Sequence, residues 1–239
     1  MRVTYSPCPR CRERGKDSRG DNLVSYPDNG SHCFSCGYHV NPIGFRALTK
    51  KETYDTKVLP YDYSSEVEPA GWKWLLQWGL SYSYWKPFVG YSSAFGRVVI
   101  KVGDSSNPAF SIGRLVEPNK EGRKWYVWGD CHSHAELLGD KGSCTVLVED
   151  IVSCHKVAQV AECAALFGTE IHKAHVYALR DGTARPIVLW LDEDQKGYVQ
   201  KKALRLQMLT NRPVTIVHTR DDPKGLPIKD IKEVLDEAV

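Results

Sequence analysis

The 239-residue chain has no apolar run approaching the ~20 residues that a membrane-spanning helix requires. Its first residues, MRVTYSPCPR, hold no apolar stretch of the kind that marks a secretion signal. From these absences we expect a cytosolic protein with no membrane partner. No GxxxxGK[ST] motif occurs either, so these residues carry no P-loop motor. Charge of one sign is also lacking. The 32 Lys and Arg against 29 Asp and Glu leave only +3, so charged partners must be argued from where the charges sit. At 42% apolar and 26% charged residues, a disordered composition is excluded, and the length allows one large domain or two small ones.

What the chain does have is cysteine, eight residues of it. In a reducing compartment thiols stay free or bind metal, and paired CxxC spacings favour metal. Cys8-Pro9-Arg10-Cys11 and Cys33-Phe34-Ser35-Cys36 are two such pairs, 21 residues apart. Two knuckles of this spacing complete a tetrahedron around one zinc ion. Between them Gly15, Gly20 and Pro27-Asp28-Asn29-Gly30 carry turn chemistry, and Leu23–Tyr26 reads as a short strand. We therefore expect a zinc ribbon over residues 1–42. Its cations Arg10, Arg12, Arg14, Lys16 and Arg19 are available to phosphates, and Asp28, Asn29, Ser31 and His32 to base edges; a merely solvated surface is the alternative. Cys131, Cys144, Cys154 and Cys163 show no pairing and read as buried or surface thiols. Cys131-His132-Ser133-His134 reads as a ligand cluster or a plain loop.

Residues 43–68 are polar and Pro-punctuated, and read as a linker. From there the character changes. Six of seven tryptophans fall between Trp72 and Trp128, which predicts an aromatic-rich α+β subdomain over 69–142. Trp72, Leu75, Leu76 and Leu80 have helical spacing, and 97–102, 109–116 and 124–128 read as antiparallel strands. Their cations Lys101, Arg114 and Lys124 either snorkel from a sheet face or grip a triphosphate or template backbone.

From 143 to 239 strands and helices alternate, which predicts a largely parallel α/β sheet. Thr145–Val148 forms a buried strand ending at Glu149. Val157, Val160, Ala161 and Ala164 then read as a helix closed by Gly168, followed by a strand near 175–179. Pro186–Leu191 forms a third strand, ending in Asp192-Glu193-Asp194. A helix from Gln195 to Leu209, a strand at 214–218 and a helix opened by Pro227 follow. Function gathers at the carboxyl ends of such strands, where Glu149, Asp192 and Asp194 fall. Three carboxylates at two strand ends repel unless a cation neutralises them, and hard oxygen donors suit Mg²⁺ or Mn²⁺. Lys196, Lys201, Lys202, Arg205 and Arg212 follow, either tracking a template strand or forming a solvated helix face.

A strand ending in Glu, then about forty residues, then a strand ending in Asp-x-Asp resembles the Toprim domain of primases and topoisomerases. With a four-cysteine ribbon and an aromatic-rich subdomain before it, the chain resembles the bacteriophage-type DNA primases over essentially its whole length. HCFSCG resembles the second knuckle of that family, and LWLDEDQKGY its metal-binding strand and following helix. The resemblance implies synthesis of short RNA primers from ribonucleoside triphosphates on single-stranded DNA. It implies structural Zn²⁺ on Cys8, Cys11, Cys33 and Cys36, and catalytic Mg²⁺ or Mn²⁺ on Glu149, Asp192 and Asp194 with Asp222 as a further acid. Lys101, Arg114 and Lys124 would contact nucleotide or primer, and Asp28, Asn29, Ser31 and His32 would read the template. A separate replicative helicase is the implied protein partner, and host-cell cytoplasm the implied compartment if a phage encodes the chain. Where the family has Gly after the first Glu, this chain has Asp150, which caps the next helix or adds a fourth carboxylate. Two other functions compete. One is a non-catalytic recombination scaffold, which also combines four cysteines with a Toprim domain; the other is a Toprim nuclease.

Overall fold

The computed structural model describes residues 4–18, 20–25, 30–33, 35–36, 38–40, 57–192 and 196–239. It divides into two units, Met1–Thr53 and Tyr54–Val239. Residues 43–56 of the expected linker lie outside the described residues, as do Asp28, Asn29 and Asp194.

The first unit is a four-stranded antiparallel sheet in chain order, β1 (Thr4–Ser6), β2 (Leu23–Ser25), β3 (Ser31–Cys33) and β4 (His39–Val40), with a short helix α1 (Pro9–Glu13). Among the described residues its core is Cys8, Cys11, Leu23 and Cys33, with Cys36 and Tyr38 packed against them. So small a core cannot by itself offset the chain entropy of some forty residues, which makes any ion held by those thiols part of the fold.

The second unit pairs two sheets across one core. Helices α2 (Pro69–Leu76) and α3 (Tyr82–Trp85) precede an antiparallel sheet of β5 (Val89–Ser92), β6 (Arg97–Gly103), β7 (Pro108–Leu115) and β8 (Trp125–Trp128). The expected strands of this region are all present. Residues 57–68, expected as linker, pack on the sheet: Ser64 exchanges backbone hydrogen bonds with Tyr91, and the Ser111 hydroxyl donates to the Val58 carbonyl.

The remaining elements are β9 (Thr145–Val148), α4 (Ile151–Val157), β10 (Glu162–Ala165), α5 (Lys173–Asp181), β11 (Ile187–Trp190), α6 (Lys196–Thr210), β12 (Val214–Val217) and α7 (Ile228–Ala238). The strands form a fully parallel sheet in the order β10-β9-β11-β12. Together the two sheets and their helices make a mixed α/β unit. Both faces of the parallel sheet are covered, so its strands are largely apolar, with Thr145, Glu162 and Thr215 the polar positions. Val146, Val148, Val188 and Trp190 point into the core shared with the antiparallel sheet, α4 and α7. Leu147, Ile187 and Leu189 point the other way, toward Leu179 of α5 and Val199, Ala203 and Leu206 of α6. Trp190 alone, 1% exposed, contributes roughly 3 kcal/mol of apolar burial.

Two local expectations are corrected here. The helix expected to run on to Gly168 ends at Val157, and Ala164 belongs to strand β10. The alanines and Glu162 in 161–165 suit a helix by propensity, but pairing against β9 overrides it. The strand expected near 175–179 is instead helix α5. Its buried Val176 and Leu179 lie three apart on one helical face, which a window of five residues cannot separate from alternation.

Candidate active-site cleft and four-cysteine cluster

In the first unit the backbone brings the two CxxC turns together. Arg12 N donates to the Cys8 carbonyl at 2.9 Å, Lys16 N to that of Cys11, and Cys33 N to that of Tyr38, so each knuckle is a closed turn. The Sγ atoms of Cys8 and Cys36, and of Cys11 and Cys33, are 3.6 Å apart, and all four sulfurs lie within 4.8 Å of one another. A tetrahedral Zn–S₄ site has S···S edges of ~3.8 Å, whereas a disulfide would need about 2 Å. Among the described residues no other group of three or more Cys, His, Asp and Glu gathers this closely. Burial opposes ionisation of Cys33, but backbone N–H groups of Cys36 and Ser35 and the thiols of Cys8 and Cys36 outweigh it and bring the pKa down to about 7. The cluster fits a thiophilic tetrahedral ion such as zinc. Ser31 and His32 lie half-buried on β3, one strand in from the edge, with His32 paired across to Val24 and His39.

In the second unit a cavity of about 440 Å³ opens between the antiparallel sheet and the carboxyl ends of the parallel strands. Its acidic wall consists of Glu149, Asp150, Asp192 and Asp222, and its opposite wall of Trp74, Trp78, Arg114, Lys124 and Trp125. Glu149 follows β9 directly, and its Oε1 accepts from Asp192 N at 3.0 Å, tying the ends of β9 and β11 together. The turn after β10 forms the cavity floor. Phe167 there holds a φ of 56°, a conformation costly for an aromatic residue.

Asp150 caps α4. Its Oδ1 accepts from Val152 N and Ser153 N at 2.9 and 3.1 Å, and its Oδ2 from the Ser153 hydroxyl at 2.7 Å. The same Oδ2 also accepts from Lys224 Nζ at 3.0 Å, and Lys224 reaches Asp222 as well. Lys224 leaves the Pro223–Gly225 turn and lies over the Trp78 ring. Burial works against its charge, but Asp150 and Asp222 outweigh burial and hold the ammonium above the ordinary lysine range. Asp192 goes the other way. Burial, then the Asp222 charge, push its carboxyl up to about 6, with Asp150 adding to the rise and Lys224 opposing it.

Arg114 sits between two indoles, its guanidinium carbon 5.5 Å from the Trp74 ring centre and 5.3 Å from that of Trp125. Burial lowers its pKa while Asp150 opposes the fall. Its Nε and the Trp78 Nε1 are buried without a hydrogen-bond partner. Two orphaned donors on the wall facing four carboxylates mark a site built to receive an acceptor-rich group. Hard oxygen donors on the other wall suit a divalent cation.

Of the basic candidates, then, Arg114 and Lys124 meet the acids and Lys101 does not. Lys101 pairs with Ser111 on the opposite face of the antiparallel sheet, where its Nζ donates to the Ser105 carbonyl, because alternation puts residues 101 and 114 on different faces. Arg212 is corrected too: it neither tracks a template nor forms a solvated face. It is 7% exposed, at the amino end of the sheet, and donates to the carbonyls of Arg185 and Leu179 and to the Thr145 hydroxyl. Lys202 bonds the Thr169 carbonyl and Glu170, whereas Lys201 and Arg205 are exposed. Cys131, Cys144, Cys154 and Cys163 are buried free thiols, and His132 stacks on His172 at 4.1 Å. Sequence reasoning missed Lys224 and the indole clamp. The only signal for Lys224 was its place two residues after Asp222.

Fold and site therefore define a mixed α/β protein with a four-cysteine cluster in one unit and a carboxylate-and-arginine cleft in the other. No protein-family model and no curated protein matches the chain. Among solved structures it is similar to the crystal structure of the primase fragment of the bacteriophage T7 primase-helicase protein, at 16% identity over 100% of both chains and a TM-score of 0.38. A score of that size lies below what a common fold produces, so the function has to be argued from the residues of the cleft.

Proposed function

We propose that the chain is a DNA primase, joining ribonucleoside triphosphates into short RNA primers on a single-stranded DNA template by metal-dependent nucleotidyl transfer. The observation that carries the proposal is the cleft in which the acids at the ends of β9 and β11 face Arg114 and Lys124 across one cavity. Nucleotide polymerisation needs those two surfaces opposed: oxygen ligands for a cation on one side, donors for polyphosphate on the other. The resemblance of HCFSCG and LWLDEDQKGY to the bacteriophage-type primases supports it independently. So does the parallel sheet, which has the alternation expected of a Toprim domain.

Glu149, Asp192 and Asp222, with Asp194 next along the chain, would hold the divalent cation. When bound, Mg²⁺ or Mn²⁺ supplies activation of the attacking 3′-hydroxyl and neutralisation of the leaving pyrophosphate. Arg114 presents a planar fork whose orientation is fixed by Trp74 and Trp125, so little side-chain entropy remains to be lost when it meets phosphate oxygens. Lys124, exposed at the rim, adds a mobile charge. The indole faces of Trp74, Trp78 and Trp125 offer sequence-tolerant stacking for a base. Because two nucleotides must be joined without an existing primer, the protein itself has to hold both reactants, and a cleft with walls of opposite chemistry does so. Asp150 is a helix cap and lysine anchor, and its occupied oxygens take it out of the ligand set. The four cysteines would hold zinc in a ribbon whose strand β3, with Ser31 and His32, reads the template. Priming at a fork would draw on a separate replicative helicase.

The test is incubation with single-stranded DNA of varied sequence, Mg²⁺ and labelled ribonucleotides. Oligoribonucleotides should appear on a subset of templates and fall to background with Glu149→Gln or Asp192→Asn. Absence of product on every template, with or without a helicase, would sink the proposal, and metal-dependent cleavage of DNA instead would make the chain a nuclease.

A further inference from the structure

The antiparallel sheet has a second face, turned away from the cleft. Arg97, Lys101, Ser111, Gly113, Tyr126 and Trp128 share it by register. Three large aromatic side chains stand open there: Tyr61 is 74% exposed, Tyr126 43% and Phe95 37%. Phe95 and Tyr126 are close to parallel, 15° apart in plane with centres at 6.3 Å, and Tyr61 meets Phe95 edge-on at 5.9 Å. Trp128, 3% exposed, forms their base at 4.8 Å from Tyr126 and 5.7 Å from Phe95. It lies over Gly113, where any Cβ would come within 2.4 Å of its ring, so the platform depends on a glycine in mid-strand.

The platform holds a buried cation whose hydrogen-bond partners among the described residues are all neutral. Arg97 is 4% exposed, yet it donates only to carbonyls, those of Gly113, Lys124 and Arg123, and among the described residues no carboxylate forms an ion pair with it. Its guanidinium carbon lies 5.9 Å from the Tyr126 ring centre. A buried guanidinium without a counter-anion leaves a positive potential at the surface above it. Two acids nearby keep their charge but are directed elsewhere: Asp62 accepts from the Ser92 hydroxyl and Ala94 N, and Glu117 from the Tyr91 hydroxyl. The loop 118–123 adds Lys120 and Arg123 against a single acid, Glu121.

We propose that this outer face is a track for single-stranded nucleic acid, separate from the cleft and independent of its chemistry. Exposed rings take the faces of successive bases, while Lys120, Arg123 and the field of Arg97 take the phosphates. A protein partner would satisfy the rings but leave the Arg97 charge uncompensated, which is why a polyanion is the fitting occupant.

The experiment is fluorescence anisotropy of the intact chain with a labelled thymidine homopolymer of about 20 nucleotides, without ribonucleotides, over a range of salt. Replacing both Tyr61 and Tyr126 by Ala should weaken binding about tenfold or more, and replacing both by Phe should leave it unchanged, because the ring and not the hydroxyl is used. Lys120→Gln with Arg123→Gln should flatten the salt dependence. Melting curves of all variants should match the parent. Equal affinity in the double Ala variant would overturn the track, and so would no binding by the parent at low salt. A change in sedimentation with unchanged affinity would overturn it in favour of a self-association surface. Primer synthesis enters none of these readouts, so the track and the primase proposal can fail separately.

Discussion

Lys224 is the resident cation of the carboxylate wall, and replacing it with Met should expose what it neutralises. Its side chain is 21% exposed, that of Asp150 24% and that of Asp222 38%. Such a pair falls between surface ion pairs, worth ~0–1 kcal/mol, and buried ones, whose disruption costs ~3–5 kcal/mol, so about 2 kcal/mol is expected. For a unit of this size that corresponds to a fall in Tm of roughly 4–8 °C. The loss should depend on pH in a particular direction. The Asp192 carboxyl is raised from 3.8 to about 6 in the fold. The stability linked to its protonated form is therefore complete below the ordinary value and is lost as pH rises through about 6. Lys224 opposes that rise, so without it the carboxyl titrates higher and the loss extends toward neutrality.

Thermal melts of parent and Lys224→Met at about pH 5 and about pH 7.5 would therefore differ more at the higher pH, where Asp192, Asp150 and Asp222 are charged together. Added Mg²⁺ should narrow the gap at the higher pH, since a divalent ion can replace the missing ammonium. Melting temperatures within about 1 °C of each other at both values, or a larger gap at the lower pH, would refute the assignment of Lys224 as the counter-cation.

Three further outcomes follow from the same packing. If the four-cysteine cluster holds zinc, chelation, or Cys33→Ser with Cys36→Ser, should unfold the first unit and, on the primase proposal, abolish template-directed initiation. Tryptophan emission should stay put, because all seven tryptophans lie beyond residue 71; a red shift would show that the second unit depends on the metal. Arg212→Met should destabilise by about 3 kcal/mol, read by urea unfolding, because it strips donors from two carbonyls and a hydroxyl. Nucleotide affinity should be unaffected, since Arg212 is at the other end of the sheet from the cleft. Arg114→Lys keeps the charge but loses the planar fork between Trp74 and Trp125, so nucleotide KM should rise about tenfold or more. An unchanged KM would remove Arg114 from the phosphate-binding wall.

What the sequence disclosed and what it hid divide along a physical line. The cysteine knuckles are legible because residue type and spacing occupy four adjacent residues each, and the strand ending at Glu149 because a sheet buried on both faces makes a continuous apolar run. Both are local constraints. Where packing partners decide the outcome, local pattern fails: Glu162–Ala165 becomes a strand because β9 lies beside it, and Leu179 sits on a helix whose buried side joins the cluster of Ala164, Ile187 and Leu189. The cleft has the same character. Asp150 looked like a departure from a familiar glycine, and in sequence its two possible roles could not be separated. The fold separates them by bringing Lys224, 74 residues away, onto the Oδ2 that the Ser153 hydroxyl also reaches, while Oδ1 takes the helix N–H groups. An acid added next to a carboxylate cluster is tolerable when a cation arrives with it. Asp150 and Lys224 are then one device, so the loss on Asp150→Gly should be smaller when Lys224 is replaced as well. A double-mutant cycle on melting free energies reads the coupling, and additive losses would dissolve the pair into two unrelated residues.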